Sequence, residues 1–120
     1  MKGILIIGHG SRIKEGNEAF EDLVKIIGEK ENIPVRGAHL SLASPTIEDS
    51  VRQMYQDGIK KIIVLPYFLF GGTHIRKHIP EKLEVLKKEL GDIEFILTEP
   101  LANDPLIIQA LLERAEPYLD

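Results

Sequence analysis

A chain of 120 residues, 43% hydrophobic and 28% charged, is long enough for one domain with a buried core and has the composition of an ordinary globular protein. Its formal net charge of −4 argues against a general nucleic-acid binder, which presents a broad basic face. With no cysteine, disulfides, thiolate metal sites and a cysteine nucleophile are excluded.

In chain order, strand-like and helix-like segments alternate. Residues 3–8 (GILIIG) form a short apolar run of the kind that becomes a strand buried on both faces. No signal peptide precedes it and no apolar run is long enough to span a bilayer, so a cytoplasmic protein without a membrane partner is expected. His9-Gly10-Ser11-Arg12 come next, and residues 15–30 set Phe20, Leu23, Val24 and Ile27 at helical spacing. Pro34 precedes a second, weaker strand over 35–42. Ser44-Pro45-Thr46 open a helix with Thr46 as its cap and Ile47, Val51 and Met54 or Tyr55 as its buried stripe, and Asp57-Gly58 end it. Residues 62–65 form a third strand, stopped by Pro66, which has no N–H for a sheet ladder. Pro80 suits the first turn of a helix that runs to about Leu90 and is closed by Gly91. Residues 93–97 are a fourth strand ending at Thr98-Glu99-Pro100, and Asp104-Pro105 open a last helix to about Tyr118.

This β-α-β-α-β-α-β-α alternation predicts a single α/β domain over residues 1–120. It is a flavodoxin-like parallel sheet of about four strands with helices on both faces. Right-handed crossovers with a reversal after the second strand give the order 2-1-3-4. Ligands of such sheets bind beyond the carboxyl ends of the strands, at the switch point between strands one and three. His9, Ser41, His74 and Glu99 all fall at that end.

The stretch between Pro66 and Pro80 carries an apolar rim (Tyr67, Phe68, Leu69, Phe70), a Gly71-Gly72 pivot and a polar head of Thr73, His74, Arg76, Lys77 and His78. Glycine opens backbone angles closed to other residues, so this reads as a binding loop folded tightly over a ligand. Taken alone, His9 is equally consistent with a capping residue, and His74 has the same bland reading. Together, on adjacent loops, they offer two imidazoles to a first-row divalent metal. Two ligands are too few for a closed structural zinc site and suit an ion that is handed on. GHGSR lacks the Lys-Ser/Thr of a P-loop and the third glycine of a dinucleotide fingerprint, and Ser11 is not on a nucleophile elbow. A histidine phosphatase, with phosphoryl transfer on His9, is a further alternative. That chemistry calls for an arginine before the histidine, where this chain has Gly8, although Arg12, Arg76 and Lys77 can still grip an anion.

Gly8-His9-Gly10-Ser11-Arg12 after the first strand, and Pro66 through Gly72-x-His74 to Ile79-Pro80 after the third, resemble the class II tetrapyrrole chelatases. The likeness is to the short-form sirohydrochlorin chelatases of the CbiX, SirB and CfbA type, and it extends to SPTIEDSV and EPLANDPLI. The resemblance implies insertion of Co2+, with Ni2+ or Fe2+ as alternatives, into sirohydrochlorin. In that reading His9 and His74 are metal ligands and proton acceptors, the metal ion is a co-substrate, and no organic cofactor is needed. It also implies a homodimer, because long members carry two such domains in tandem. Substrate contacts would come from Ser11, Arg12, Phe70, Gly71, Gly72, Thr73 and Arg76, with apolar side chains against the macrocycle and cations or backbone N–H groups on its carboxylates. Core packing or a dimer seam is the competing role for at least half of the aromatic run. Two positions depart from the family pattern: His78 stands where many relatives have aspartate, and Ser41 where many have glutamate. His39, on the same strand face as Ser41, is an auxiliary candidate, or else a partly buried strand histidine. His78 is likewise an auxiliary candidate or a solvated helix-start residue. A non-catalytic protein that binds a tetrapyrrole or a metal is the main alternative from another class.

Overall fold

The parallel sheet is built outward from β1 (Lys2–Gly8). In a computed structural model describing residues 1–70 and 72–119, with backbone alone at 73–75, β1 pairs with β2 (Val35–His39) on one side and β3 (Lys61–Pro66) on the other. β4 (Glu94–Leu97) joins β3, so the order is β2-β1-β3-β4, every pair parallel, as the alternation predicts. The crossovers are α1 (Lys14–Lys30), α2 (Ile47–Gln56) and α3 (Thr73–Leu90). α4 (Pro105–Ala115) and a short 3-10 turn (Glu116–Tyr118) complete the described chain. Among the described residues no helix is long and apolar enough to cross a membrane.

The core lies between the sheet and α2 and α3. Leu5, Ile7, Ile62 and Val64 alternate onto that face, and Ile47, Val51, Met54, Leu83 and Leu86 close over them. Thr46 caps α2 as expected, its hydroxyl accepting the Asp49 N–H at 3.1 Å. Inside the same contact the buried Ser50 hydroxyl donates to the Gly37 carbonyl at 2.7 Å, which ties α2 to β2.

Three expectations are corrected. First, the segment expected to be a loop up to Pro80 is already helix from Thr73, with Gly72 as its N-cap and Pro80 inside it. Pro80 removes one helical N–H, but it is exposed, while Ile79, Leu83 and Leu86 form a buried stripe. The stripe outweighs the missing bond. Second, β2 ends at His39, and Leu40 and Ser41 leave it towards Leu42, whose φ is 67°. Third, the last α-helix stops at Ala115, and residues up to Tyr118 are a 3-10 turn.

Candidate functional site

The β1–α1 loop is fixed by its backbone. Past the end of the regular ladder, the Leu40 N–H donates to the Gly8 carbonyl at 2.8 Å and the Ser41 N–H to the His9 carbonyl at 3.0 Å. The two strand ends therefore hold the His9 main chain from the side. Gly10 has φ 88°, and a Cβ there would sit 1.7 Å from the Ser41 carbonyl oxygen. Only glycine fits that position. Ser11 is held by Asn17 of α1: the Ser11 N–H donates to Asn17 Oδ1 at 3.0 Å, and Asn17 Nδ2 donates to the Ser11 carbonyl at 2.8 Å. The Ser11 hydroxyl accepts the Ile13 N–H at 2.9 Å, a local turn bond. Asn17 is a supporting residue that sequence reasoning missed. Its one signal is an asparagine in the opening turns of a helix, where such side chains reach back to the loop.

His9 is exposed, and its ring lies against Phe68 with centroids 4.4 Å apart and planes inclined by 51°. Phe68 is buried and forms a wall of an open cleft of about 350 Å3, whose other walls include Arg76, Ile79, Leu97 and Glu99. A second cleft of about 290 Å3 is lined by His9, Ser11, Asn17, His39 and Tyr67. His9 thus borders one cleft and touches the wall of the other. The two clefts open on the α1 and α3 sides of the same carboxyl edge of the sheet.

The expected site residues are distributed unevenly around this edge. His39 shares the second cleft with His9 and packs against Phe20, with ring centroids 5.0 Å apart; it is 2% exposed and its Nδ1 has no hydrogen-bond partner. An unpaired buried imidazole nitrogen carries a desolvation penalty. Ser41 contributes through its backbone, as above. Arg76 reaches the first cleft, as does Glu99. Arg12 lines an adjoining surface cleft with Lys14, Glu18, Glu21 and Leu42, which shares Ser11 and Asn17 with the second cleft. His78 lies between α2 and α3, in a cleft with Glu48, Arg52 and Lys82. It therefore does not join His9, because the helix that replaces the expected loop carries it to that side. Of the aromatic run only Phe68 enters the core; Tyr67, Leu69 and Phe70 are exposed on the rim. Gly71 lies outside the described residues, as do the side chains of Thr73 and His74. The His74 backbone stands in the first turn of α3, at the same sheet edge as His9.

α3 begins without a side-chain cap and with no acidic residue in its first turn. Its N–H groups and positive dipole end therefore favour an anion at this edge. Among the described residues no group of three or more His, Asp or Glu side chains is placed to hold a metal ion.

A family model described as CbiX matches residues 3–118. The chain is 37% identical over 118 residues to the chloroplastic sirohydrochlorin ferrochelatase of Arabidopsis thaliana, covering 98% of this chain and 52% of that protein. It is 30% identical over 129 residues to the sirohydrochlorin cobaltochelatase of Methanothermobacter thermautotrophicus, covering 95% of this chain and 90% of the relative. Among solved structures, a cobalamin (vitamin B12) biosynthesis CbiX protein from Marinobacter aquaeolei is similar with a TM-score of 0.86 at 28% identity, covering 98% and 97% of the two chains. The sirohydrochlorin chelatase SirB from Bacillus subtilis subspecies spizizenii, in complex with cobalt, is similar with a TM-score of 0.90 at 26% identity, over 97% of this chain and 50% of SirB. The chain thus spans about half the length of the chloroplastic relative and of SirB, and nearly all of the archaeal one.

Proposed function

The chain belongs to the CbiX family, and from that premise we propose that it inserts a divalent metal ion into sirohydrochlorin. Co2+ is the expected metal, with Ni2+ or Fe2+ as alternatives, and the working form is a cytoplasmic homodimer. The names of the relatives support the reaction, one being a cobaltochelatase and another a ferrochelatase. The observation that carries it is His9, held by the Gly10 loop at the end of β1, with its ring on Phe68 at the border of two clefts.

The chemistry follows from what the macrocycle must lose. As a divalent ion enters, two pyrrole N–H bonds break and two protons leave, so the metallated ring gains no net charge. A neutral imidazole can hold the incoming ion through one nitrogen, release it to a ring nitrogen, and then accept one of the displaced protons. In this reading His9 is one such group and His74 the other. The exposed rim of Tyr67, Leu69 and Phe70 offers apolar surface to the face of the ring. Arg76 and the uncapped start of α3 offer positive charge to its carboxylates. Phe70, Gly71, Gly72 and Thr73 belong to that binding edge, and Ser11 and Arg12 to its β1 side.

Anaerobic incubation of the protein and sirohydrochlorin with Co2+, Ni2+ or Fe2+ tests this directly. Loss of free-macrocycle absorbance should be metal-dependent and faster than the uncatalysed rate, fastest with Co2+, and slowed by His74→Ala. Binding of sirohydrochlorin with no acceleration by any metal would favour the non-catalytic reading.

A further inference from the structure

We infer that the two clefts at the carboxyl edge divide the substrates between them: the macrocycle takes the α3 side, and the divalent ion reaches His9 from the α1 side, through the cleft that His9 shares with His39. The inference rests on the chelatase reading above and adds to it a route for the ion.

Charge separates the two clefts. The walls of the α3-side cleft include the Arg76 guanidinium, and the uncapped, acid-free first turn of α3 begins at the same edge. Both attract carboxylates and repel a divalent cation. Glu99 offsets Arg76 on those walls, but the helix start remains positive. The α1-side cleft carries neither sign. Its polar walls come from His9, Ser11, Asn17, His39 and Tyr67, with no Lys, Arg, Asp or Glu among the described residues. A cation meets no repulsion there, and no carboxylate holds it back from the ring nitrogens. The adjoining cleft beyond Ser11 and Asn17 is of mixed sign, with Lys14 paired to Glu18 at 3.7 Å and Arg12 and Glu21 beside them.

Geometry separates them as well. Among the described residues the two clefts share no wall. They meet where the exposed His9 ring lies on the buried Phe68 ring. A macrocycle resting on the Leu69 and Phe70 rim covers the Phe68 side of His9 and leaves the other cleft as the way in. Its 290 Å3 hold a divalent ion with about six waters, at about 30 Å3 for each water. His39 stands beneath the loop that carries His9, since a Cβ on Gly10 would come within 3.2 Å of the His39 Cβ. The buried His39 Nδ1 has no hydrogen-bond partner, and a buried polar atom in that state is where a water or an ion is expected. Imidazole suits first-row divalent ions. An ion shedding water in this cleft therefore passes two imidazoles, His39 and then His9, before it meets the macrocycle.

The chain has no native cysteine, so a removable plug tests the route. Ala19 is an exposed α1 residue on the wall of the α1-side cleft. Ala19→Cys is capped with a bulky methanethiosulfonate, loaded with sirohydrochlorin and only then given Co2+. The metallation rate should fall about tenfold or more with macrocycle affinity unchanged. It should recover once a reductant has removed the cap and been exchanged away, which also shows that the protein stayed folded. The same cap on Ile26→Cys, exposed on α1 and outside that cleft, should change neither quantity. A capped rate within about twofold of the uncapped one, an equal fall with the Ile26 cap, or a matching loss of macrocycle affinity would each overturn the route. Where the unmodified protein metallates sirohydrochlorin and the Ala19 cap has no effect, the route alone fails. An unmodified protein that metallates nothing would overturn the chelatase reading, and the route with it.

Discussion

The two faces of the sheet are closed to different degrees. On one, Ile62 and Val64 are sealed beneath α2 and α3; on the other, their strand neighbours Ile63 and Leu65 are only partly buried, and α4 has no buried residue. The first face holds a single chain together. The second is unfinished within one chain, and the carboxyl edge where both faces meet is where the chemistry gathers.

The sharpest way to break that comparison is to truncate neighbours on β3. Ile62→Ala should cost about 2–5 kcal/mol in denaturant unfolding, as for a fully enclosed side chain. At a dilution that keeps chains apart, Ile63→Ala should cost about half as much or less, and the gap should narrow as the protein is concentrated. Equal losses at high dilution would show that the second face is already closed in one chain. A smaller effect comes from Ser50, which is fully buried with its hydroxyl on Gly37. Ser50→Ala leaves that carbonyl without its partner and should cost about 1–3 kcal/mol.

The smallest effect belongs to the exposed Arg52–Glu89 pair across α2 and α3, bidentate at 2.8 and 2.9 Å. The Arg52 hydrogen bond, ahead of opposing desolvation and their mutual attraction, holds the Glu89 carboxyl below its ordinary range. A carboxyl lowered in the folded state adds stability above its unfolded pKa, and that stability is lost as pH falls through the folded one. Glu89→Gln should therefore flatten the acid limb of the stability profile slightly, because exposure and solvent screening limit the pair. An unchanged acid limb would remove the pair from the account.

Much of this architecture was legible in the residues. The four apolar runs and their spacers encode the strand order, and Thr46 before Ile47 and Val51 marks the α2 cap. The need for glycine at position 10 was not legible in GHGSR, because it comes from the approach of the Ser41 carbonyl. Pro80 misled, because a local breaker reads as a helix start while the stripe of Ile79, Leu83 and Leu86 carries the helix back to Thr73. That shift also moved His78 away from the site. His39 could be named as a candidate, but its burial against Phe20 depends on α1 crossing over β2, a tertiary fact. The open second face was not read from the residues, because which helix covers which part of a sheet is a tertiary fact.

In the proposed function the His9 imidazole handles the ion and a proton during insertion. The most direct measurement is single-turnover metallation of sirohydrochlorin with Co2+, comparing the unmodified protein with His9→Ala under conditions where both bind the macrocycle. A loss of about 100-fold or more is predicted, the scale expected for removing a general base. A variant that metallates within about twofold of the unmodified rate would fall outside that scale and contradict the account.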